Sequence, residues 1–228
     1  MHATSLTRTQ LLIKISTLGR PDMLLKCLDS FIVNLSGEHK VFFCITCNLG
    51  DETMDDATVA RLKSLHPDLE VFFGTHESKI DAYNADIENF DFDVLVLASD
   101  DMEVVHKDYD KLILELMARN FPGLDGVLWF ETGDGNKITD TLSIMGKSYY
   151  QRFGYAYNPI YMGDYCDDEF TRVAFKLGKL KRIDRTIIRH NIPHHLKMAE
   201  DSTYLKSLVH GTRDKALYKV RKRVQFDI

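Results

Sequence analysis

The sequence predicts an α/β domain with a mixed, mostly parallel central sheet flanked by helices, and three observations lead to this prediction. Short apolar segments of strand length alternate with segments whose apolar residues recur every three or four positions. Residues 93–98 form an almost unbroken apolar run, which is typical of a central strand covered on both faces. The 228 residues suit one well-buried domain and show no repeat or linker, so we expect a single domain over residues 1–228.

Each element follows from a local pattern. Residues 11–15 are a short apolar segment that predicts the first strand, and Pro21 suits the first turn of the helix that follows. Leu24, Leu28 and Phe31 recur at helical spacing in that helix. The same reasoning predicts strands at residues 41–47, 70–73, 93–98, 126–130 and 186–189, and helices at residues 55–65, 78–88, around 109–116, 167–177 and from 201 onward.

Charge is distributed unevenly along the chain. The net charge is -5, with acidic residues concentrated between positions 81 and 110 and basic residues between positions 213 and 223. An acidic centre argues against nucleic-acid binding as the main function, and it suits a bound cation that contacts phosphates. The basic segment is interpreted as a solvated helix face, with contact to phosphates or to an anionic membrane surface as the alternative.

The sequence shows no transmembrane segment, because none of its apolar stretches is long enough to cross a bilayer. The first ten residues are polar and lack the apolar core of a signal peptide. We therefore expect these ten residues to be disordered and the protein to be cytoplasmic.

Two of the four cysteines, Cys44 and Cys47, have the spacing of a zinc or redox site. They lie in a predicted strand, however, where residues three positions apart point to opposite faces. The two sulfur atoms therefore cannot bind one metal ion, and core packing is the preferred interpretation.

The segment Ser99-Asp100-Asp101 directly follows the most apolar predicted strand. Ligands of open α/β sheets bind at the carboxyl ends of the strands. Two adjacent carboxylates repel each other there unless a cation or a raised pKa relieves the repulsion. The motif thus predicts Mn²⁺ or Mg²⁺ bound by carboxylate oxygens and substrate phosphates, and the alternative is a turn whose first acid caps the next helix.

A second acidic cluster, Asp167-Asp168-Glu169, lies at the start of a predicted helix. The helix dipole favours acids in a first turn, which gives the cluster a purely structural interpretation. Three consecutive acids exceed what capping needs, and a carboxylate here is a candidate general base for an attacking hydroxyl group.

Three histidines near the end of the last predicted strand, His190, His194 and His195, form the third candidate group. Pro193 keeps the segment out of a regular helix, so the spacing supports no pair of ligands on a helix face. One imidazole is a candidate to complete a metal site, and a surface histidine is the alternative.

In their order and context, these motifs resemble those of the GT-A glycosyltransferases, especially small family 2-like members, over most of the chain. Ser99-Asp100-Asp101 occupies the place of the metal-binding D-x-D motif, residues 166–170 look like the motif that carries the catalytic base, and His190 lies where some members place a histidine on the metal. Residues 15–21 look like the first strand and the nucleotide-binding loop, and residues 78–84 like the helix beneath the donor. The residues that the resemblance places around the nucleotide are Thr17, Arg20, Asn48, Asp51, Lys79, Asn84 and Asp100.

The sequence departs from the family pattern at three places. The triplet S-D-D in place of D-x-D makes Asp101 the better metal ligand and Asp100 a helper. The second strand ends in Cys47-Asn48 rather than in the Asp that often binds the nucleoside, so Asn48 or Asp51 is expected to substitute. The later motif lacks the usual Glu-Asp pair, which makes Asp167 the base by position and leaves Asp168 and Glu169 as alternatives.

The resemblance implies a GT-A fold, a Mn²⁺ or Mg²⁺ cofactor, a nucleotide-diphosphate sugar donor and a carbohydrate or glycan acceptor. It implies inverting transfer of a hexosyl or deoxyhexosyl group by direct displacement, without a nucleic-acid partner. Tyr149, Tyr150, Tyr155 and Tyr157 are candidates for an aromatic wall beside a sugar acceptor, with core packing as the alternative. The alternative functions are a nucleotidyltransferase or metal-dependent phosphohydrolase, and a non-catalytic module that binds a nucleotide sugar.

Overall fold

A computed structural model describes residues 9–133, 138–191 and 210–228. Its strands are β1 (Gln10–Thr17), β2 (Lys40–Asn48), β3 (Leu69–Gly74), β4 (Val94–Ser99), β5 (Met102–Val104), β6 (Val127–Phe130), β7 (Ile144–Gly146), β8 (Leu180–Ile183) and β9 (Ile188–His190). Its α-helices are α1 (Pro21–Val33), α2 (Asp56–Leu65), α3 (Lys79–Asn84), α4 (Tyr109–Asn120), α5 (Lys147–Phe153), α6 (Cys166–Lys176) and α7 (Gly211–Arg223).

Over the described ranges, seven strands form a central sheet in the order β3-β2-β1-β4-β7-β6-β8, and β5 pairs with β9 in a separate two-stranded sheet. The pairs β1–β2, β2–β3, β1–β4 and β6–β8 are parallel, while β7 is antiparallel to both β4 and β6. The predicted fold class, a mixed and mostly parallel sheet flanked by helices, is confirmed. Ser16 is in register with Thr46 of β2 and Ser99 of β4, so the carboxyl ends of three central strands meet at one edge.

The sheet separates two hydrophobic clusters, one on each face. Alternate residues of β1 divide between them: Leu11 and Ile13 lie in one cluster, and Leu12 lies in the other. Cys47 lies in the first cluster and Cys44 in the second, and all four cysteines are buried and free. The prediction that Cys44 and Cys47 point to opposite faces and pack in the core is therefore confirmed.

Most of the predicted elements are present, with some differences. The helix predicted at residues 78–88 ends at Asn84, because Asp86 adopts a left-handed backbone with φ 67° and a 3₁₀ turn follows at Ile87–Asn89. Elements β5, β7, β8 and α5 were not predicted, since β5, β7 and β8 have only three or four residues and α5 has seven. The helix predicted from residue 201 is described from Gly211, and residues 201–209 lie outside the described ranges.

One glycine fixes the packing of the antiparallel strand. A Cβ atom on Gly146, the last residue of β7, would lie 2.2 Å from the carbonyl oxygen of Leu124. Gly146 and Lys147 also donate backbone hydrogen bonds to Gly126 O and Asp93 O. A side chain at position 146 would therefore separate β7 from the loop that enters β6.

Along the described ranges, none of the helices combines the length and apolar character of a membrane span.

Candidate active site

The loop after β1 lies at the edge where the central strands end. Gly19 has a left-handed backbone with φ 68°, and its N–H donates to Asp51 Oδ2 at 2.7 Å. Asp51 therefore holds the loop in place from the end of β2. Thr17 Oγ1 donates to Asp100 Oδ2 at 2.7 Å, and Arg20 Nη1 lies 3.2 Å from Asp100 Oδ1. Thr17 at the end of β1 and Arg20 in the loop, both predicted to contact a nucleotide, are thus joined directly to the acidic motif.

Asp100 has its carboxylate turned inward against this loop. Burial raises its pKa, and the charge of Asp101 raises it further, while Arg20 and Thr17 act in the opposite direction. Both oxygens already accept hydrogen bonds. Asp100 therefore holds Thr17 and Arg20 in place, and its expected role as a helper to Asp101 at the metal stays a prediction.

Asp101 meets His190 through the small second sheet. Strand β5 begins directly after Asp101, and its first residue, Met102, is paired with His190 at the end of β9. This pairing places His190 Nε2 3.1 Å from Asp101 Oδ1. Burial opposes ionisation of Asp101, but His190, Lys79 and Arg20 together lower its pKa. The carboxylate is therefore ionised at neutral pH, and two residues that are 89 positions apart in sequence face each other at the carboxyl edge of the sheet.

The chemistry of this pair fits a divalent cation. The buried Asp101 Oδ1 and the buried His190 Nδ1 have no hydrogen-bond partner of good geometry. No group of three such ligands occurs in the parts of the chain that the structure describes. Mg²⁺ is commonly held by one or two protein ligands together with substrate phosphates and water, and Mn²⁺ also accepts imidazole. Asp101 and His190 suit that arrangement, while His194 and His195 lie outside the described residues.

Lys79 brings a positive charge to the same region. It is the first residue of α3, whose N-cap Ser78 accepts a hydrogen bond from Asp81 N, and its ammonium group lies 5.7 Å from the centre of the Tyr83 ring. Burial of the ammonium group opposes its charge, but Tyr83, Asp101 and Asp167 outweigh this effect and raise its pKa. Because the residue as a whole is exposed, solvent screening weakens these interactions. Lys79 therefore interacts electrostatically with both acidic clusters, through Asp101 and through Asp167.

Asp167 lies in the first turn of α6. The residue before the helix, Tyr165, has a left-handed backbone with φ 64°, an uncommon conformation for a non-glycine residue. Burial raises the pKa of Asp167 to about 6, with a further contribution from Asp168, although backbone hydrogen bonds and Lys79 act against this rise. A carboxylate with a pKa near the working pH is suited to accept a proton.

The neighbouring acids have other partners. Asp168 Oδ1 accepts a hydrogen bond from Thr139 Oγ1 at 2.9 Å, which ties the turn to the segment before β7. Glu169 is buried, and its carboxylate accepts hydrogen bonds from Asn158, Tyr161 and two nitrogen atoms of Arg221, at 2.7 to 2.9 Å. Both oxygens of Glu169 are therefore occupied by these partners, and its assignment as an alternative base stays a prediction.

Among the predicted nucleotide-binding residues, Asn48 and Asn84 differ in their surroundings. Asn48 is the half-buried last residue of β2, and its carbonyl oxygen accepts from Asp51 N at the same sheet edge as Thr17. Asn84 instead holds the chain at positions 156 and 157. Its side-chain oxygen accepts from Ala156 N and Tyr157 N, and its side-chain nitrogen donates to Tyr157 O, at 2.7 to 3.0 Å. Asn84 thus has a structural role in this contact, and its assignment to the nucleotide stays a prediction.

The tyrosines between the two acidic clusters do not form one aromatic wall. Tyr149 and Tyr157 are buried, and the Tyr157 hydroxyl group lies 2.9 Å from Ser143 Oγ. Tyr150 and Tyr155 are half-buried, and Tyr155 stacks on Phe153 at 5.7 Å between ring centres. Core packing, the alternative to an aromatic wall, therefore applies to Tyr149 and Tyr157.

Sequence reasoning missed several buried ionisable residues around the first turn of α6. Asp140 is fully buried, burial raises its pKa, and its Oδ2 atom has no partner. Asp214 of α7 accepts from the backbone N–H groups of residues 162–164, just before the helix. Arg221 binds Glu169 with two nitrogen atoms. In the sequence, Arg221 stood out only as one of several basic residues in the segment 213–223. No sequence pattern indicated Asp140 or Asp214.

A groove of about 760 Å³ adjoins the acidic motif. It runs between the first turns of α1 and strand β5 and is large enough for a ligand of nucleotide size. The residues that line it include Arg20, Lys26, Asp100, Asp101, Glu103 and Asn191.

Comparison with known proteins gives similarity in structure rather than in sequence. No protein-family model and no curated protein matches the chain. The mannosyltransferase PcManGT from Pyrobaculum calidifontis, solved with GDP-Man and Mn²⁺, superposes with a TM-score of 0.66 at 12% sequence identity, covering 82% of this chain and 58% of that one. S. aureus TarS residues 1–349, solved with UDP, gives a TM-score of 0.63 at 9% identity, covering 82% and 62%.

The same fragment of S. aureus TarS, solved with UDP-GlcNAc, gives a TM-score of 0.61 at 10% identity and covers 88% of this chain and 64% of that one. The chain thus spans about three fifths of the length of these solved structures. Such low identity establishes the architecture alone. Together with the strand order and the placement of the acidic motif, the superpositions show that this chain has the GT-A fold that the sequence motifs indicated.

Proposed function

We propose that the chain is a metal-dependent glycosyltransferase that moves a sugar from a nucleoside diphosphate to an acceptor hydroxyl group, with inversion at the anomeric carbon. The observation that carries the proposal is the Asp101–His190 pair, two side chains of metal-binding type that lie 3.1 Å apart at the sheet edge where ligands bind in open α/β folds. The complexes of PcManGT with GDP-Man and of TarS with UDP-GlcNAc support it, because those proteins share the fold.

On the donor side, Asp101 and His190 would hold Mn²⁺ or Mg²⁺, which neutralises the charge that develops on a departing diphosphate. Lys79 and Arg20 add positive charge to the same region. Arg20 is fixed by Asp100, so less conformational freedom is lost when its guanidinium group meets a phosphate. Thr17, Asn48 and Asp51 lie at the ends of β1 and β2, where they would border the nucleoside.

On the acceptor side, Asp167 would take the proton from the attacking hydroxyl group. The acceptor oxygen forms a bond to the anomeric carbon as the bond from that carbon to the diphosphate oxygen breaks. The proton moves to an Asp167 oxygen, and the electron pair of the broken bond leaves with the nucleoside diphosphate. One displacement of this kind inverts the configuration of the sugar. Asp168 and Glu169 are bound to other residues, which favours Asp167 for this role.

The test is release of nucleoside diphosphate from a panel of UDP-, GDP-, dTDP- and CDP-sugars with Mn²⁺ and a glycan acceptor mixture. We expect turnover with one donor class and a loss of about 100-fold or more in kcat for Asp101→Asn and for Asp167→Asn. Glu115→Gln, an exposed residue on α4, makes the same kind of change away from the site and is expected to keep wild-type turnover.

Two results would reject the proposal. One is full turnover in folded Asp101→Asn and Asp167→Asn proteins. The other is release of orthophosphate or pyrophosphate instead of a nucleoside diphosphate, which would assign the site to a phosphohydrolase or a nucleotidyltransferase. Binding of a nucleotide sugar without any product would indicate a non-catalytic module.

A further inference from the structure

The outer face of α7 carries a group of charges that the proposed function does not use. The helix contains six basic residues and one acidic residue, while the whole chain has a net charge of -5. Its inner face is fixed to the domain by Asp214 and Arg221. Lys215, Lys219 and Lys222 are exposed and follow one another at spacings of four and three positions, so they share one side of the helix.

Four of the six basic side chains of α7 have no acidic partner among the described residues. In the part of the chain that the structure describes, the side chains of Lys215, Lys219, Lys222 and Arg223 make no ion pair and no hydrogen bond. Lys111 and Lys147, which are half-buried, do have acidic partners. A face that holds four uncompensated positive charges attracts an anionic surface over a distance of about 10 Å at 0.1 M salt.

Apolar side chains lie beside the basic ones. Val220 and Val224, four positions apart along the chain, are 56% and 52% exposed. Phe175 near the end of α6 is 74% exposed, and the next residue, Lys176, contacts the side chain of Gln225 just after α7. The ends of the two helices are therefore adjacent. Basic side chains that attract anionic headgroups and apolar side chains that enter the acyl boundary are the two contributions by which a protein surface binds a bilayer.

We infer that the outer face of α7, with Phe175, docks on an anionic lipid bilayer. The lysine and arginine side chains would contact lipid phosphates, and Val220, Val224 and Phe175 would enter the boundary between headgroups and acyl chains. A nucleic acid would use the charges but would leave the aliphatic side chains in water, so the bilayer accounts for more of the observations. Asp214 binds residues 162–164, so docking would hold the segment that leads into α6 beside the lipid surface.

The experiment is co-sedimentation of the full chain with phosphatidylcholine vesicles and with vesicles that contain about a third phosphatidylglycerol. We expect binding only to the anionic vesicles, and weakening at about 0.5 M salt. Lys219→Glu/Lys222→Glu/Arg223→Glu should reduce the partition coefficient by about 100-fold or more, because each basic residue near the surface contributes substantially to binding. Val220→Ser/Val224→Ser/Phe175→Ser should reduce it while leaving the charge unchanged.

The matched control is Arg61→Glu/Lys181→Glu/Arg185→Glu, which changes the net charge equally at exposed positions away from α7. It should bind vesicles like the wild type, and circular dichroism should show that all variants are folded. Equal loss in the control and in the α7 variant would mean that net charge alone drives binding, and it would overturn the inference. Absence of vesicle binding by the wild type, with or without binding to single-stranded RNA, would overturn it as well. Sugar transfer is not needed for this readout, so the result is independent of the proposed function.

Discussion

Asp167 is the residue at which stability and proposed function conflict. Its pKa is raised from the usual 3.8 of an aspartate to about 6, mainly by burial and secondarily by Asp168. The folded protein therefore binds this proton more tightly than the unfolded chain does. Stability from this group is fully present below about pH 4 and is lost as the pH rises through about 6. At neutral pH the wild type bears the cost of an ionised, partly buried carboxylate.

We predict that Asp167→Asn stabilises the protein while it removes the proposed base. At about pH 8 the variant should be about 1–3 kcal/mol more stable than the wild type, since one pKa unit corresponds to about 1.4 kcal/mol and partial exposure reduces the effect. The difference should shrink at about pH 5, where part of the wild-type population is protonated. Urea unfolding of both proteins at the two pH values measures this change.

Asp184→Asn provides the control, because the Asp184 side chain is 87% exposed and its replacement should leave stability unchanged at both pH values. If the Asp167→Asn difference were the same at both pH values, the carboxyl group would not have the raised pKa that a general base needs here.

Lys14 is an example of a buried polar residue whose partners could not be predicted from the sequence. It lies in the middle of an apolar strand and is completely buried. Its ammonium group contacts Thr46 Oγ1 and lies 3.7 Å from Cys44 Sγ, while Thr46 in turn donates to Asp86. Burial lowers the pKa of Lys14. The partners are 30 to 72 positions away in the sequence, so a local pattern could not indicate that this strand carries a polar residue on its covered face.

At the scale of elements, α7 supports the first turn of α6. Arg221 donates from Nε and Nη2 to the Glu169 carboxylate at 2.7 and 2.9 Å, and the Glu169 side chain is 5% exposed. Removal of one partner of a buried ion pair leaves an uncompensated charge and is strongly destabilising, whereas removal of both charges costs less. Glu169 is only two positions from Asp167, so the pair also fixes the turn that carries the proposed base.

We predict that Arg221→Met lowers the free energy of unfolding by about 3 kcal/mol or more at neutral pH. Glu169→Gln/Arg221→Met should recover part of that loss, because the amide keeps acceptor and donor atoms for Asn158 and Tyr161 but carries no charge. Urea unfolding of the two single variants and the double variant gives the coupling energy. If the losses in unfolding free energy from Glu169→Gln and Arg221→Met were simply additive, Arg221 of α7 would not stabilise the protein by neutralising the buried charge of Glu169.

The elements themselves were predictable to the extent that one periodicity dominated each segment. The buried run of β4 and the helical spacing in α1 depend only on local order, and both are present. The three-residue strand β5 is too short to leave a pattern, although its pairing with β9, the strand predicted at residues 186–189, brings His190 to Asp101. Sequence reasoning named both residues from the motifs and could not supply the contact that joins them.

At the scale of the whole molecule, the site depends on register across the sheet. Thr17, Asn48 and Asp101 come from different segments, and parallel pairing brings the carboxyl ends of their strands to one edge. The fold class predicts that meeting, which is why most of the nucleotide-side candidates do lie together. Asn84 and Glu169 were assigned from their positions in motifs, and the structure places their side chains against other parts of the protein. Only three-dimensional packing decides which side of a short helix faces the cleft.

The balance of charge in this site leads to a prediction about the whole protein. Asp101 and Asp167 face Lys79, while Arg20 is neutralised in part by Asp100. A nucleoside diphosphate brings more negative charge, so we predict that it binds tightly only together with a divalent cation. With Mn²⁺ and one nucleotide from UDP, GDP, dTDP and CDP at about 100 times its Kd, the protein should gain about 2.7 kcal/mol, which raises Tm by about 5–10 °C.

Thermal unfolding with Mn²⁺ or with EDTA checks this prediction, and Asp101→Asn supplies the matched variant. The variant should unfold at a temperature close to that of the wild type without ligand but should lose the response to nucleotide with Mn²⁺, because it lacks the carboxylate that links the cation to the sheet edge. A nucleotide response that persists in EDTA would show that Lys79 and Arg20 alone hold the diphosphate. In that case the positive side chains of the protein would bind the nucleotide without a metal ion, and the metal-dependent mechanism would have to be abandoned.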